Sequence, residues 1–425
     1  MGASRIVFED GGGRLGPLTD LRCACEVRSG PLLAWQRLGA DALFVSAARE
    51  QSVAARTGLR VNGLPKGARF LLLNGRLLTE PKDARRLAVG EALVDVDGAV
   101  LAACLEETDA AGVILGRWPE GLRRATLEHA EVLRRPWDLL ANEALERRIA
   151  ADADVIARRW KKAGELAKPA QIAAWRNEKG KSWAMRWTGK RTRPIAIEGD
   201  AVLVHASARV DAFAVLDSSH GPVVIDRDAH IGAHAVLQGP LFVGPGTIVA
   251  PGAFLKARTV IGPRCRAAGE IGATIIQGES NKAHDGHLGD AIVGRWVNLG
   301  AGTVNSNLLN TYGEVSMRVE PEAPLERTGR QFMGCILGDH VKTAIGTRIM
   351  TGTTLGTGSM IACSVPPPTS TPRFSWLTDD GAKVHRLDRF LSTAETVMKR
   401  RSESMHPDER AEIEALHAKA AGGAS

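Results

Sequence analysis

Counted in sixes from Ile225, the chain places an apolar residue at every step: Ile225, Ile231, Leu237, Val243, Val249, Leu255, Ile261 and Ala267. Gly or another small residue often stands one place later, as at Gly232, Gly244, Ala250 and Gly262. In a chain that is 44% hydrophobic, eight such hits in a row arise by chance about once in seven hundred per register. The step recurs at Val293 and Leu299, and again at Leu337, Thr343, Ile349, Leu355 and Ile361. An α-helix repeats its faces every 3.6 residues and a strand every two, so neither makes this pattern. One inward aliphatic per hexad predicts a parallel β-helix, in which short strands alternate with turns and successive coils stack. Residues 268–290 and 305–334 break the period, which predicts loops leaving the solenoid at both places. Loops held by a rigid scaffold are where functional residues gather.

The remainder reads differently. Arg5, Ile6, Val7 and Phe8 form a short strand pattern running into Gly11-Gly12-Gly13, and apolar patches follow at 42–46, 70–73 and 94–105. Turn or helix signals lie between them, so the first part is an α/β domain of modest size. From about Leu122 to Trp187 the pattern becomes helical, including 136–140 and 142–159. After Pro366-Pro367-Pro368 two helices are expected, over 387–401 and 407–420, as a tail that caps the solenoid end. The chain thus divides into an α/β domain over 1–120, a helical basic connector over 121–194, the β-helix over 195–366 and a helical tail over 367–425.

Composition changes this picture little. Aromatics are 4% of 425 residues, against 46 glycines and a single Tyr, which suits a solenoid better than a helical bundle. Six cysteines at scattered spacing make no disulfide framework and are read as free thiols. The N-terminus lacks the form of a signal peptide and no run of eighteen apolar residues exists, so the expectation is a cytoplasmic protein without a membrane span. The charge is uneven: the segment 158–193 carries twelve Lys/Arg and two Glu, a net +10 against +7 for the whole chain, with Trp160, Trp175, Trp183 and Trp187 interleaved. Such a segment is open to a phosphate-binding role, but a solvated linker whose tryptophans dock on a neighbouring domain is the preferred reading, and nucleic acid is not the expected partner.

The first break in the hexads holds Ser280-Asn281-Lys282-Ala283-His284-Asp285-Gly286-His287-Leu288-Gly289-Asp290. After it come Asn298-Leu299-Gly300-Ala301-Gly302-Thr303 and Ser306-Asn307-Leu308. Here the chain resembles the acetyltransferase half of the bifunctional N-acetylglucosamine-1-phosphate uridyltransferase/glucosamine-1-phosphate acetyltransferase family, and within it a divergent group of sugar nucleotidyltransferase-like proteins. The resemblance implies a left-handed β-helix, a homotrimer, acetyl-CoA or another acyl-CoA as cosubstrate, and a sugar phosphate or nucleotide sugar as acceptor. It implies that His284 is the catalytic base, by its spacing to Leu288-Gly289-Asp290. Lys282, His287 and Asn298 become substrate contacts, and Ala301 and Asn307 contacts to the acyl-CoA. The family has Tyr where this chain has His287 and Leu308, and basic residues near Ala250 and Ala268.

The chemistry of the residues agrees. Attack on a thioester by an amine or hydroxyl needs a base poised near neutrality, for which His is the suited side chain. The oxyanion needs donors, for which backbone N–H groups around Gly300 and Gly302 are candidates.

At the other end, Asp10-Gly11-Gly12-Gly13-Arg14-Leu15-Gly16-Pro17-Leu18-Thr19 resembles the family's nucleotide-binding signature. The resemblance makes Gly11, Gly12, Gly13 and Arg14 a triphosphate cradle. Asp10 replaces that signature's first Gly, Ala24 its Lys, and Arg76 its Mg²⁺-binding Asp, so a cation would need Asp95 or Asp97 instead. The reading is a two-module enzyme, acyltransferase first and nucleotidyltransferase on NTP second. Two rivals stay open: a non-catalytic sugar-nucleotide sensor or scaffold trimerised by the β-helix, and a nucleotidyltransferase alone.

Overall fold

The computed structural model describes residues 3–167 and 195–422. Two compact units divide it, Met1–Leu139 with Arg386–Ser425, and Leu140–His385.

The first unit is built on a seven-stranded mixed sheet. Its strands are β1 (Ser4–Phe8), β2 (Ala42–Phe44), β3 (Arg60–Val61), β4 (Phe70–Asn74), β5 (Glu91–Val94), β6 (Val100–Leu105) and β7 (Arg123–Thr126), in the order β3-β2-β1-β4-β6-β5-β7. The first four are parallel and β6 runs antiparallel to β4 and β5. Near-continuous apolar runs such as Phe70-Leu71-Leu72-Leu73 belong to a sheet covered on both faces, and separate buried clusters flank it: Val7, Leu43, Leu71 and Leu101 on one side, Ile6, Phe44, Phe70 and Leu105 on the other. The helical reading from Leu122 onward is corrected at its start, since β7 pairs with β5 in parallel.

The helices α1 (Ala34–Arg37), α2 (Glu50–Thr57) and α3 (Glu107–Ile114) join these strands. A long helix, α4 (Asn142–Ala163), opens the second unit, and two tail helices follow it far along the chain, α5 (Leu387–Lys399) and α6 (Pro407–Gly422). The tail helices fall where expected but do not cap the solenoid. They belong to the first unit, where Glu412 on α6 lies 2.6 Å from Arg49 and Asp408 accepts the Ser52 N–H at 3.0 Å. A polar tail carries no signal of its address, because the ion pairs that decide it involve residues more than 350 positions away.

The second unit is a three-sided parallel β-helix, and the hexapeptide reading is borne out. The stepped residues from Ile225 to Ala267 are all buried and lie in one continuous core with Leu337, Ile349, Leu355 and Ile361. Each buried Val, Leu or Ile among them contributes about 1.5–3 kcal/mol over its exposed state.

One face stacks Ala196–Glu198, Val215–Asp217, Val236–Gln238, Phe254–Leu255, Glu270–Gly272 and His287–Gly289. The second runs through nine strands from Val202–Val204 to Ser370–Thr371. The third stacks Arg209–Val210 through Asn281–Lys282 and, across a bridge at Asn298, continues to Lys342–Thr343, Met360–Ala362 and Ser375–Thr378. Residues with positive φ mark the corners, for example Arg264, Glu279, Trp296, His340 and Phe374. A hairpin of Ser375–Thr378 with Gly381–Val384 ends the stack.

Of the two predicted loops, one is real. The chain leaves the solenoid after the paired strand Val304–Asn305 and rejoins it at Cys335–Leu337, carrying between them an antiparallel pair, Ser316–Met317 with Glu326–Arg327. Residues 268–290 do not leave it. Strand partners stand eighteen residues apart from Val243 to Ile261, but fifteen from Ile261 to Ile276 and seventeen from Ile271 to Leu288. The coils there are shorter, so a step of six loses phase while the ladder continues.

Leu145, Ile149, Ala153, Ile156 and Trp160 of α4 are buried, and Glu146 of the helix pairs with Arg258 of the β-helix at 3.2 Å. The Trp160 ring meets His205 edge-on at 5.1 Å, the docking expected of the basic segment's tryptophans. Trp175, Trp183 and Trp187 lie outside the described residues. No helix among the described residues is long and apolar enough to cross a membrane.

Candidate active site

The residues singled out around His284 converge on one corner of the β-helix and the two faces that meet there. Asn281–Lys282 is the last full strand pair before the corner on the third face, and His287–Gly289 begins the first face beyond it. Gly286 makes the turn at φ 111°, and a Cβ there would stand 2.4 Å from the Thr303 carbonyl of the next coil. Only glycine meets both demands. The coil above it carries Ala301, so the His284 and Ala301 corners are stacked neighbours.

His284 is exposed, and its ring makes no hydrogen bond or ion pair among the described residues. Lys282 is not a surface contact. It stands in register with Ala267, at an inward position of the third face, and is 3% exposed. Its Nζ donates to the carbonyls of His284 (2.6 Å), Asp285 (3.0 Å) and Ala268 (3.2 Å). Burial pushes its pKa down to about 8, the Asp285 charge working the other way.

His287 lies with Nδ1 3.3 Å from a Glu270 carboxylate oxygen, which also accepts Lys256 Nζ at 3.0 Å. The Lys256 bond, against some burial, holds the Glu270 carboxyl below its usual range. Glu270 is in register with His287 on the shortened seventeen-residue coil, so the hexad count, built on eighteen, did not bring the two together.

The Leu288-Gly289-Asp290 triplet has a local reason for each member. Leu288 fills the core. Gly289 lies so close beneath the His287 ring and the Asn307 amide that a Cβ would be 2.5 Å from His287 Nε2 and 2.9 Å from Asn307 Nδ2. Asp290 turns the corner at φ 46° and accepts Asn307 Nδ2 at 2.8 Å. Burial raises the Asp290 pKa, outweighing the Asn307 bond and the charges of Arg330 and Arg258. Arg330, from the loop that leaves the solenoid, is 3.8 Å from Asp290 and donates to Asn142 of α4 at 3.0 Å. No spacing in the sequence indicates it.

On the third face Asn281 Nδ2 donates to Asn298 Oδ1 at 3.1 Å, the two side chains facing outward beside the corner. The backbone donors considered for an oxyanion fare unequally. The Gly300 N–H is taken by Thr343 Oγ1 at 3.0 Å, and a Cβ there would meet the Ala344 carbonyl at 2.4 Å, so that glycine serves coil packing. Asn305 occupies an inward position and bridges coils, accepting the Gly289 N–H at 2.7 Å and donating to its carbonyl at 2.8 Å.

In the first unit, β1 ends at Phe8 and hands over to the glycine loop. Two of the three departures from the nucleotide-binding signature meet there: Arg76 is 5% exposed and pairs with Asp10 at 2.5 Å, while Asn74 Nδ2 and the Gly12 N–H also donate to Asp10. Burial works to raise the Asp10 carboxyl, but these bonds and the Arg76 charge outweigh it and leave it lowered. The guanidinium lies under the loop, since a Cβ on Gly12 would be 2.8 Å from Arg76 Nη2.

Asp95 does not offer a cation ligand. It is 3% exposed, one oxygen accepts the N–H groups of Asp97 and Ala99, and the other faces Arg134 at 3.1 Å. No cluster of three or more His, Cys, Asp or Glu suited to a metal exists among the described residues, and the residues here do not fit Mg²⁺. Arg14 is exposed, its backbone N–H bonded to the Arg134 carbonyl. A cavity of about 660 Å³ opens beside the loop, lined by Phe8, Asp10, Gly11, Phe44, Trp118 and Glu412 among others.

No family model matches the chain. Among curated proteins it is similar to the bifunctional sugar-1-phosphate nucleotidylyltransferase/acetyltransferase of Sulfurisphaera tokodaii, 29% identical over 138 residues, 32% of this chain and 34% of that protein. The chain is similar to such bifunctional proteins over about a third of its own length. The bifunctional protein GlmU of Bordetella parapertussis is 29% identical over 180 residues, 42% of this chain and 32% of the relative. That of Rippkaea orientalis is 36% identical over 93 residues, 20% of each. The chain thus spans about a third or less of the length of these relatives. A solved UDP-N-acetylglucosamine acyltransferase from Francisella novicida matches at 15% identity and a TM-score of 0.24, covering 50% of this chain and 75% of that one.

Proposed function

We propose that the chain is an acyltransferase that moves an acyl group, acetyl in the first instance, from acyl-CoA to a sugar phosphate or nucleotide sugar. The observation that carries this reading is the exposed His284 on a glycine-turned corner, flanked by Asn281 and Asn298 on one face and by His287, Glu270 and Asn307 on the other. The His284 imidazole takes the proton from the acceptor amine or hydroxyl as its N or O attacks the thioester carbonyl. The tetrahedral intermediate collapses with cleavage of the C–S bond, and the imidazolium returns the proton to the departing thiolate. Asn298 and His287 present hydrogen-bonding groups to the acceptor, and Ala301 and Asn307 line the path of the acyl-CoA.

Nucleotidyl transfer by the first unit is not part of this proposal, because Asp10 and Arg76 neutralise each other at the glycine loop. The test is thiol release from acetyl-CoA across a panel of sugar phosphates and nucleotide sugars. His284→Ala is expected to lower the rate by roughly a hundredfold or more with the fold intact. A folded variant that keeps the parent rate removes His284 as the base. A parent silent across the panel favours the binding scaffold.

A further inference from the structure

The inward column of the third face is apolar or weakly polar: Val210, Ile231, Val249 and Ala267 below Lys282, then Leu299, Thr343, Ile361 and Leu377 beyond it. An aliphatic residue at 282 would fill this column without desolvating a charge, so stability of the coil alone does not account for an ammonium there. Its donors match three carbonyls, and two of them, on His284 and Asp285, belong to the corner itself. Between Lys282 and Leu288 no other side chain of the corner is buried. Among the described residues Lys282 is thus the buried side chain that holds the carbonyls of His284 and Asp285, while the backbone N–H of Glu270 holds that of Gly286 at 3.3 Å.

We propose that Lys282 is a positioning residue for acyl transfer. Its ammonium clamps the carbonyls of His284 and Asp285 from inside the β-helix and so sets the direction in which His284 leaves the backbone. The proposal rests on His284 being the base. The exposed ring has no side-chain partner among the described residues to orient it, so its placement comes from its own peptide plane, whose carbonyl is held at 2.6 Å. An apolar side chain at 282 leaves two inward-facing carbonyls of the corner without a donor, and the corner must turn to find water. Misplacing a catalytic group by about 1 Å costs up to roughly a hundredfold in rate.

The experiment compares the parent with Lys282→Met, Lys282→Gln and His284→Ala by thiol-release kinetics with acetyl-CoA and by amide hydrogen exchange. Lys282→Met is expected to lower kcat about tenfold or more with KM for acetyl-CoA unchanged within about twofold. It should also speed exchange at 283–286 while the coils at 236–261 stay protected. Lys282→Gln, which retains two N–H donors, should fall between. A folded Lys282→Met with parental kcat overturns the proposal, as does lost kcat without faster exchange at 283–286. If Lys282→Met does not fold, Lys282→Gln decides: intermediate kcat and exchange support the clamp, and parental values of both overturn it. Parental activity in a folded His284→Ala overturns the base assignment instead, and the exchange at 283–286 still reports whether Lys282 holds the corner.

Discussion

The exchange of two residues at the glycine loop is intelligible only as a pair. Asp10 in place of Gly and Arg76 in place of Asp each reverse or add a charge near where a triphosphate would lie, yet together they form a mostly buried ion pair. Removing one partner leaves the other charge desolvated, so Asp10→Ala and Arg76→Ala should each cost about 1–3 kcal/mol of unfolding free energy. The double variant should cost less than their sum by about 1 kcal/mol, a coupling that denaturant melts of the four proteins measure. Lys282 makes a prediction in pH. Its folded pKa of about 8 lies below the ordinary lysine value of 10.5, so between these values the unfolded chain holds a proton that the native one has lost. Stability therefore gains from Lys282 as pH rises from about 8 to about 10.5, and below 8 its burial as a charge is a standing cost. The thermal stability of Lys282→Met relative to the parent should fall across that window. A difference constant with pH would contradict the assignment.

At the scale of elements, the coil tolerates loss of the hexad period more readily than loss of a corner glycine. The ladder runs on through coils of fifteen and seventeen residues because each strand needs only a parallel neighbour and one inward side chain. Gly286 has no such latitude. Gly286→Ala must accept both φ 111° and the Thr303 carbonyl, and should destabilise by more than about 1 kcal/mol. The loss should show first as faster exchange at 283–289. Leu237→Ala, in the filled core far along the stack, should cost about 2–5 kcal/mol without altering exchange at that corner.

The molecule as a whole comprises two units with separate cores. The tail belongs to the first. Truncation after Ser402 removes α6 with Glu412 and Asp408, and should lower the unfolding temperature of the first unit while leaving the β-helix transition in place, as two calorimetric transitions would resolve. Assembly is proposed as a homotrimer, since closed symmetry gives the corner a neighbouring copy to complete an acyl-CoA site. Sedimentation of a monomer at micromolar concentration would contradict it. For the first unit, pyrophosphate release from NTP should not exceed the chelated control, whereas Arg14→Ala should weaken any triphosphate binding. Brisk Mg²⁺-dependent release would restore a second activity.

What the sequence determined by itself is whatever repeats or lies close along the chain. The hexad aliphatics announced the β-helix because every coil buries the same position. The strand at 4–8, the tail helices and the spacing of His284 to Leu288-Gly289-Asp290 were legible because each depends on neighbours within a few residues. Tertiary structure alone decided the rest. Lys282 has the look of a surface cation, and only its register with Ala267 turns it inward. Glu270 and Arg330 reach the site through a shortened coil and a long excursion, which no fixed period encodes. Asp10 and Arg76 each read as a loss until the sheet brings the ends of β1 and β4 side by side and makes them partners. Charges that meet across such distances are chosen by desolvation, which acts only once the chain has closed around them.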